Sequence, residues 1–339
     1  MSGTLLSVRD LKVSYSVGDG KVDAVDGASF DVPRGSIVGL VGESGCGKTT
    51  VARALTRVIA DNATITGGQI LFDGADIAAI PERQMNALRW RDIAFIPQSA
   101  MNSLDPVYTV ESQLHEVLRR RGGMSARIAR ARAEELFKMV GIEKNRLRDY
   151  PHQFSGGMRQ RVAIALALAL NPKLVIADEP VTALDVIVQR QILDQLRGLQ
   201  AMLGISVILV THDISVVAYV CDKTVVMYAG RIAEAGPMDA VLTRPSHPYT
   251  MGLRNAFPDL KGAASGTLTP IEGAPPNLAS PPPGCRFAPR CPFAMEICSK
   301  SQPSLREMSP GHAVACHRAD EAPVLRELAA KTETWLAEV

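Results

Sequence analysis

The sequence predicts an α/β fold, a mixed β-sheet with flanking helices, and three stretches carry that prediction. Val38–Thr50 (VGLVGESGCGKTT) runs an apolar strand into a glycine-rich loop and then into the helix-forming VARALTRVI. That is the strand–loop–helix context of a phosphate-binding loop. Leu174–Pro180 (LVIADEP) ends a second apolar run in two carboxylates, as a buried parallel strand reaching a metal would. Phe154–Arg161 (FSGGMRQR) opens an apolar helix, VAIALALAL, on Ser-Gly-Gly. Exposed N–H groups at such a start form a second anion-facing helix end.

Each element then follows in order. Residues 5–32 alternate short apolar and polar runs and read as strands of a mixed sheet edge. Tyr15, upstream of the loop, offers a flat ring for an adenine base, although alone it is an ordinary strand residue. In the loop, Gly42, Gly45 and Gly47 let backbone N–H groups turn inward without a clashing Cβ, and Ser44, Cys46 and Thr50 complete the lining. Lys48 would reach the β- and γ-phosphates, and the Thr49 hydroxyl would bind Mg²⁺. The loop thus marks a nucleotide site on a P-loop NTPase core.

Gly67–Ile77 reads as strand, Asp-Gly turn and strand. Gln98 ends the next buried strand, where its amide could ligate Mg²⁺ and position water, although a lone Gln is ordinarily a hydrogen-bonded loop residue. From Glu111 to about Leu170 the pattern is helical, and its basic run, RRRGGMSARIARARAEEL, reads as a solvated helix face. Asp178 would hold the metal, and Glu179 would align and deprotonate the attacking water. Asp185 follows, and His212 closes the strand SVILVTHD at the edge where parallel sheets bind ligands. Ser155, Gly156 and Gly157 form the second phosphate-facing start, which one chain with one ATP does not need for itself.

The totals set limits. With 339 residues the chain holds more than one domain's worth of core, and a formal charge of +2 advertises no nucleic-acid partner. No apolar run has transmembrane length, and MSGTLLSVRDLK lacks a secretion-signal layout, so a cytosolic protein is expected. Four of six cysteines, Cys285, Cys291, Cys298 and Cys316, cluster near the end. In a reducing compartment such a cluster suits a metal better than disulfides. The spacing contains neither a close zinc-type pair nor a ferredoxin run, so it favours neither zinc nor iron–sulfur strongly. Cys46 and Cys221 read as packing residues, and His312 and His317 as possible substitute ligands.

Taken together, these motifs resemble the ATPase subunit of ATP-binding cassette (ABC) transporters, in the family's order from residue 5 to about 255. The resemblance makes Tyr15 the adenine-stacking aromatic, 42–50 Walker A, Gln98 the Q-loop residue and 155–161 the signature. It makes 174–179 Walker B with the catalytic Glu179, Asp185 the D-loop, and His212 the switch histidine. It implies that two cassettes pair head to tail, the signature of one closing on the ATP held by the other. The second cassette is expected to be a homologous subunit in a hetero-dimer. AMNSLDPVYTV after Gln98 and RPSHPYTMGLRNAFP at 244–258 resemble the ATPase subunits of oligopeptide, dipeptide and nickel importers. Peptide is the favoured cargo, with nickel or glutathione as alternatives, and a soluble ABC ATPase acting on nucleic acid or ribosomes as the different-class reading.

The resemblance implies two permease subunits, an extracytoplasmic peptide-binding protein and a peripheral location on the cytoplasmic face of the inner membrane. For the four cysteines it implies a [4Fe–4S] cluster, with Zn²⁺ as the alternative. The expected organisation is an ATPase domain over 1–258 with a helical subdomain at about 99–170, a Pro/Gly-rich linker over 259–284 and the four-cysteine extension over 285–339.

Overall fold

The computed structural model describes residues 3–18, 20–98, 100, 103–182, 184–256 and 269–336. Its strands, in chain order, are β1 (Thr4–Val17), β2 (Gly20–Pro33), β3 (Ile37–Val41), β4 (Ala63–Phe72), β5 (Ala75–Asp76), β6 (Ile93–Ile96), β7 (Leu174–Asp178), β8 (Ser206–Thr211), β9 (Lys223–Tyr228), β10 (Arg231–Pro237), β11 (Arg306–Ser309) and β12 (His312–Val314). The chain divides into two compact units. One comprises residues 1–5, 32–37 and 79–210, the other 6–31, 38–78 and 211–339.

In the first unit β6, β7 and β8 pair in parallel, with Ile93 opposite Leu174 and Leu174 opposite Ser206. Every residue of β7 and β8 is buried, which is why these strands lack alternation: helices cover both faces of a parallel sheet. The 18-residue helix Val186–Leu203 stops at Gly204, whose φ of 64° caps it in the left-handed region. The expected helical block contains helices Val110–Glu116, Ala126–Met139 and Gly156–Ala167, separated by a π turn and short 3₁₀ turns.

The basic run in this block is not simply a solvated face. Arg132 is only 11% exposed, and its guanidinium donates to the carbonyls of Leu168 and Ala169 and to Asn171 Oδ1. It staples the C-terminal end of the helix Gly156–Ala167, where free carbonyls attract a cation. Periodicity alone does not reveal such a long-range partner.

In the second unit, β2-β1-β4-β5 form an antiparallel sheet, with Leu6 opposite Phe72. The Asp73-Gly74 turn joining β4 to β5 has φ of 54° and 85°, the paired left-handed geometry that Asp-Gly favours in hairpins. β3 pairs in parallel with β9, and the order continues through β10 and β12 to β11. The C-terminal extension therefore joins the same compact unit as the phosphate-binding loop, through Glu234 opposite Val314. Of the expected linker, 259–268 lies outside the described residues; beyond it Ile271 packs so closely on Gly252 that a Cβ there would sit 2.6 Å from Ile271 Cγ1. No helix among the described residues is long and apolar enough to cross a membrane.

Candidate nucleotide site

The phosphate cradle belongs to the second unit. β3 (IVGLV) is wholly buried and delivers the chain into Gly42. A Cβ on Gly42 would lie 2.1 Å from the Met227 carbonyl oxygen, so only glycine lets the loop pass. Gly47, at φ 101°, starts the helix Lys48–Thr56 with no side-chain cap, leaving its first N–H groups to face an anion. Ser44 and Gly45 are exposed, and Cys46 is buried with its thiol pKa raised by that burial. Lys48 is buried, its ammonium folded back on the carbonyls of Gly42 (2.7 Å) and Glu43 (2.9 Å) with Cys46 Sγ at 3.7 Å. Carbonyl oxygens here occupy donors that phosphate oxygens could take instead. Thr49 is half-buried, and the hydroxyls of Thr50 and Tyr15 lie 3.2 Å apart, so the upstream aromatic sits beside this helix's first turn.

The first unit carries the acidic pair. Asp178 ends β7 and is buried. Glu179 follows in a left-handed backbone, φ 48°, with its N–H donating to Val210 O at 2.8 Å. A side chain with a Cβ costs about 1–3 kcal/mol to hold there, a strain that concentrates at functional positions. Glu179 Oε2 accepts from Gln98 Nε2 and from Thr182 Oγ1, each at 3.0 Å. The structure thus brings together two residues 81 apart in sequence. Thr182 went unremarked in the sequence, where a hydroxyl three residues beyond the acid carries no special pattern.

The signature segment is in the same unit. Ser155 caps the helix Gly156–Ala167, its hydroxyl accepting from the Met158 N–H. A Cβ on Gly157 would lie 2.7 Å from Val188 Cγ1, so that glycine also permits close helix packing. Arg146, another residue the sequence did not single out, donates to Asp149 Oδ2 (2.7 Å) and Gln153 O (2.9 Å) and stacks 4.6 Å from the Phe154 ring centroid. It fixes the chain leading into Ser155. Asp185 caps Val186–Leu203 by accepting from the Val188 N–H, and the adjoining Val186 and Ile187 are 80% and 72% exposed. His212 is exposed directly after β8, in the second unit.

Cys285, Cys291, Cys298 and Cys316 line one small pocket with Phe287, Phe293 and His317. Burial pushes the Cys291 thiol up to about 12 and Cys316 to about 11, and each feels the other cysteines' negative charge. Backbone N–H groups point at all four sulfurs: Phe287 at Cys285, Phe293 at Cys291, Met295 at Cys298 and Arg318 at Cys316. Among the described residues, however, no three His, Cys, Asp or Glu side chains are placed to hold a metal ion. Neither an iron–sulfur cluster nor its zinc alternative thus has a ready-made set of donors among these residues. His312 is no substitute ligand either: its Nε2 lies 2.7 Å from the buried Glu234 carboxylate, while the His317 ring reaches Ser301 O at 2.8 Å. Cys221 is buried, as expected of a packing residue.

Comparison with known proteins adds to this geometry. Residues 25–182 match the family described as ABC transporter, and 233–298 match the oligopeptide/dipeptide transporter C-terminal region. The chain is 45% identical to the dipeptide transport ATP-binding protein DppD of Bacillus subtilis, covering 94% of this chain and 95% of that one. It is 48% identical to the oligopeptide transport ATP-binding protein OppD of Escherichia coli, covering 93% of each. Among solved structures, the ATP-binding cassette MJ0796 in a dimeric post-hydrolysis state with ADP and Pi matches at a TM-score of 0.61 and 28% identity. That match covers 69% of this chain and 98% of the other.

Proposed function

Since the chain belongs to the ABC transporter ATPase family, in its oligopeptide/dipeptide branch, we propose that it hydrolyses ATP to drive peptide import through a membrane permease. The observation that carries this reading is the joint presence, in one compact unit, of the Gly47-capped phosphate cradle and the C-terminal region matched to oligopeptide/dipeptide transporters. In this reading Tyr15 stacks on adenine, and the 42–50 loop wraps the phosphates as Lys48 exchanges carbonyl oxygens for phosphate oxygens. Thr49 and Gln98 would hold Mg²⁺, with Asp178 supporting it, and the ion would supply positive charge to the phosphates. Glu179, oriented by Gln98 and Thr182, deprotonates the attacking water, and His212 responds to the γ-phosphate. Little covalent chemistry falls to the protein; positioning and charge stabilisation lower the barrier.

Ser155, Gly156 and Gly157 serve the nucleotide of a second, homologous cassette. The exposed Val186 and Ile187 beside Asp185 support an apolar contribution to that pairing. The surface around Asp105, Tyr108 and Gln113, where Val107 is 70% and Tyr108 55% exposed, is the proposed permease dock. An extracytoplasmic binding protein would deliver the peptide, and the chain would work peripherally on the cytoplasmic face of the inner membrane.

For the tail we propose that the four cysteines hold a [4Fe–4S] cluster. A four-iron cluster takes one thiolate per iron, so its ligands need not converge on a single ion. The ring of backbone N–H groups around the sulfurs suits ligated thiolates, and iron would supply the positive charge that deprotonates thiols raised by burial.

Reconstitution with the cognate permeases and binding protein in liposomes tests the main reading. Peptide accumulation that needs ATP and stops in Glu179→Gln is expected, whereas nickel uptake without peptide uptake would reassign the cargo. Iron, sulfide and zinc analysis of anaerobically purified protein tests the tail, with iron and sulfide in equal amounts expected and lost in Cys291→Ser.

A further inference from the structure

Glu43 in the phosphate-binding loop has each of its polar groups held. Its N–H donates to the Tyr249 hydroxyl at 2.9 Å, and its carbonyl accepts from Lys48 Nζ. Its carboxylate accepts from Arg290 Nη1 at 2.8 Å. Arg290 comes from the cysteine-rich segment, immediately before Cys291, and its side chain is 7% exposed. All three guanidinium nitrogens are bonded: Nε donates to Glu272 O (2.9 Å), Nη2 to Ile271 O (3.1 Å) and Nη1 also to the Tyr228 hydroxyl (3.2 Å). A planar fork can hold three segments at once, which a lysine ammonium on a flexible stem cannot match.

A second arginine of the same segment, Arg286, directly follows Cys285. It donates to the Ala229 carbonyl and to Asp26 Oδ2 at 2.6 Å. The next residue, Gly230, donates its N–H to Cys46 O in the phosphate loop at 2.9 Å. The Cys285–Cys291 segment therefore meets the loop twice, at Glu43 directly and at Cys46 through the Ala229–Gly230 turn. Both arginines adjoin cysteines.

We propose that this segment is a brace that sets the phosphate loop, with Arg290 as a positioning residue for ATP binding. Order in the Cys285–Cys291 segment and order in the loop are then one coupled equilibrium. The proposal rests on the reading of the 42–50 loop as the ATP site. Removing the Arg290 fork releases the Glu43 carboxylate and takes one anchor from the loop, so part of the ATP binding energy goes into ordering it. By reciprocity, ATP must stabilise the segment by the same factor.

The test uses the full chain, titrated calorimetrically with Mg-ATP, and amide exchange across 285–291 with and without ATP. Wild type binding ATP and Lys48→Ala losing it secures the premise; wild type failing to bind ATP would sink the premise instead. Arg290→Met is expected to weaken ATP about tenfold, and to abolish the slowing of exchange that ATP causes in wild type. Glu43→Met combined with Arg290→Met should be no weaker than the weaker single variant, because both break one contact. If Arg290→Met does not fold, Glu43→Met keeps the test alive, since it removes the acceptor, leaves every other Arg290 bond in place and should uncouple exchange from ATP. Unchanged ATP affinity in Arg290→Met, fully additive losses, or ATP slowing exchange in Glu43→Met as in wild type would each overturn the brace.

Discussion

The two glycine-rich helix starts look alike in composition and differ in how they are finished. The helix Lys48–Thr56 begins at a left-handed glycine with no side-chain cap, and its cationic residue is buried at the first position. The helix Gly156–Ala167 begins at Ser155, whose hydroxyl already satisfies the Met158 N–H. The first start is open and pre-charged, fit to hold an anion by itself. The second is self-capped and exposed, fit to close on an anion that something else holds. A glycine-rich helix N-terminus is thus common to both, and the cap is what distinguishes them.

Substitutions can break this contrast, starting with the largest effect. Glu179→Gln should cut steady-state ATP turnover by about 10²–10⁴-fold, the usual worth of a general base, while ATP affinity measured by titration stays as in wild type. Unaltered turnover would remove the carboxylate from the chemistry. Lys48→Ala should weaken ATP by roughly 30-fold or more, since it strips a charged donor from buried phosphates. An equally large loss of affinity in Ser155→Ala would erase the distinction between the starts.

Ser155→Asp sharpens the contrast further. Aspartate keeps the cap, so the melting temperature should hold, yet its charge repels a γ-phosphate brought by a second cassette. ATPase activity with the partner cassette should collapse while single-chain ATP affinity is retained. The smallest effect is expected from Arg146→Met, which removes an ion pair and a ring contact: about 1–2 kcal/mol in denaturant unfolding, with ATP affinity of the isolated chain untouched.

How much was legible follows from distance along the chain. The phosphate loop and LVIADEP were readable because strand, turn and chemistry are contiguous, so local sterics and polarity dictate them. Tyr15 and Gln98 gained meaning only through family order, and their contacts with Thr50 and Glu179 required the fold. Arg132, Arg146 and Arg290 were hidden because an arginine's role depends on carbonyls and carboxylates 3 to 247 residues away. His312, a possible ligand by its nearness to the cysteines in sequence, contacts instead the Glu234 carboxylate on β10, 78 residues away. The four cysteines were rightly grouped, since they line one pocket, although spacing alone said nothing of their mutual geometry.

The pairing of β12 with β10 bears on how this polypeptide can be cut. A protein engineer trimming the chain after residue 258 would strip β11 and β12 from β10 and leave Glu234, now without its histidine, beside a row of unpaired backbone groups. Such a bare sheet border invites other chains to add to it, so the shortened protein should precipitate or form cross-paired aggregates. The C-terminal strands thereby cover a border of the sheet that β10 would otherwise present to other chains.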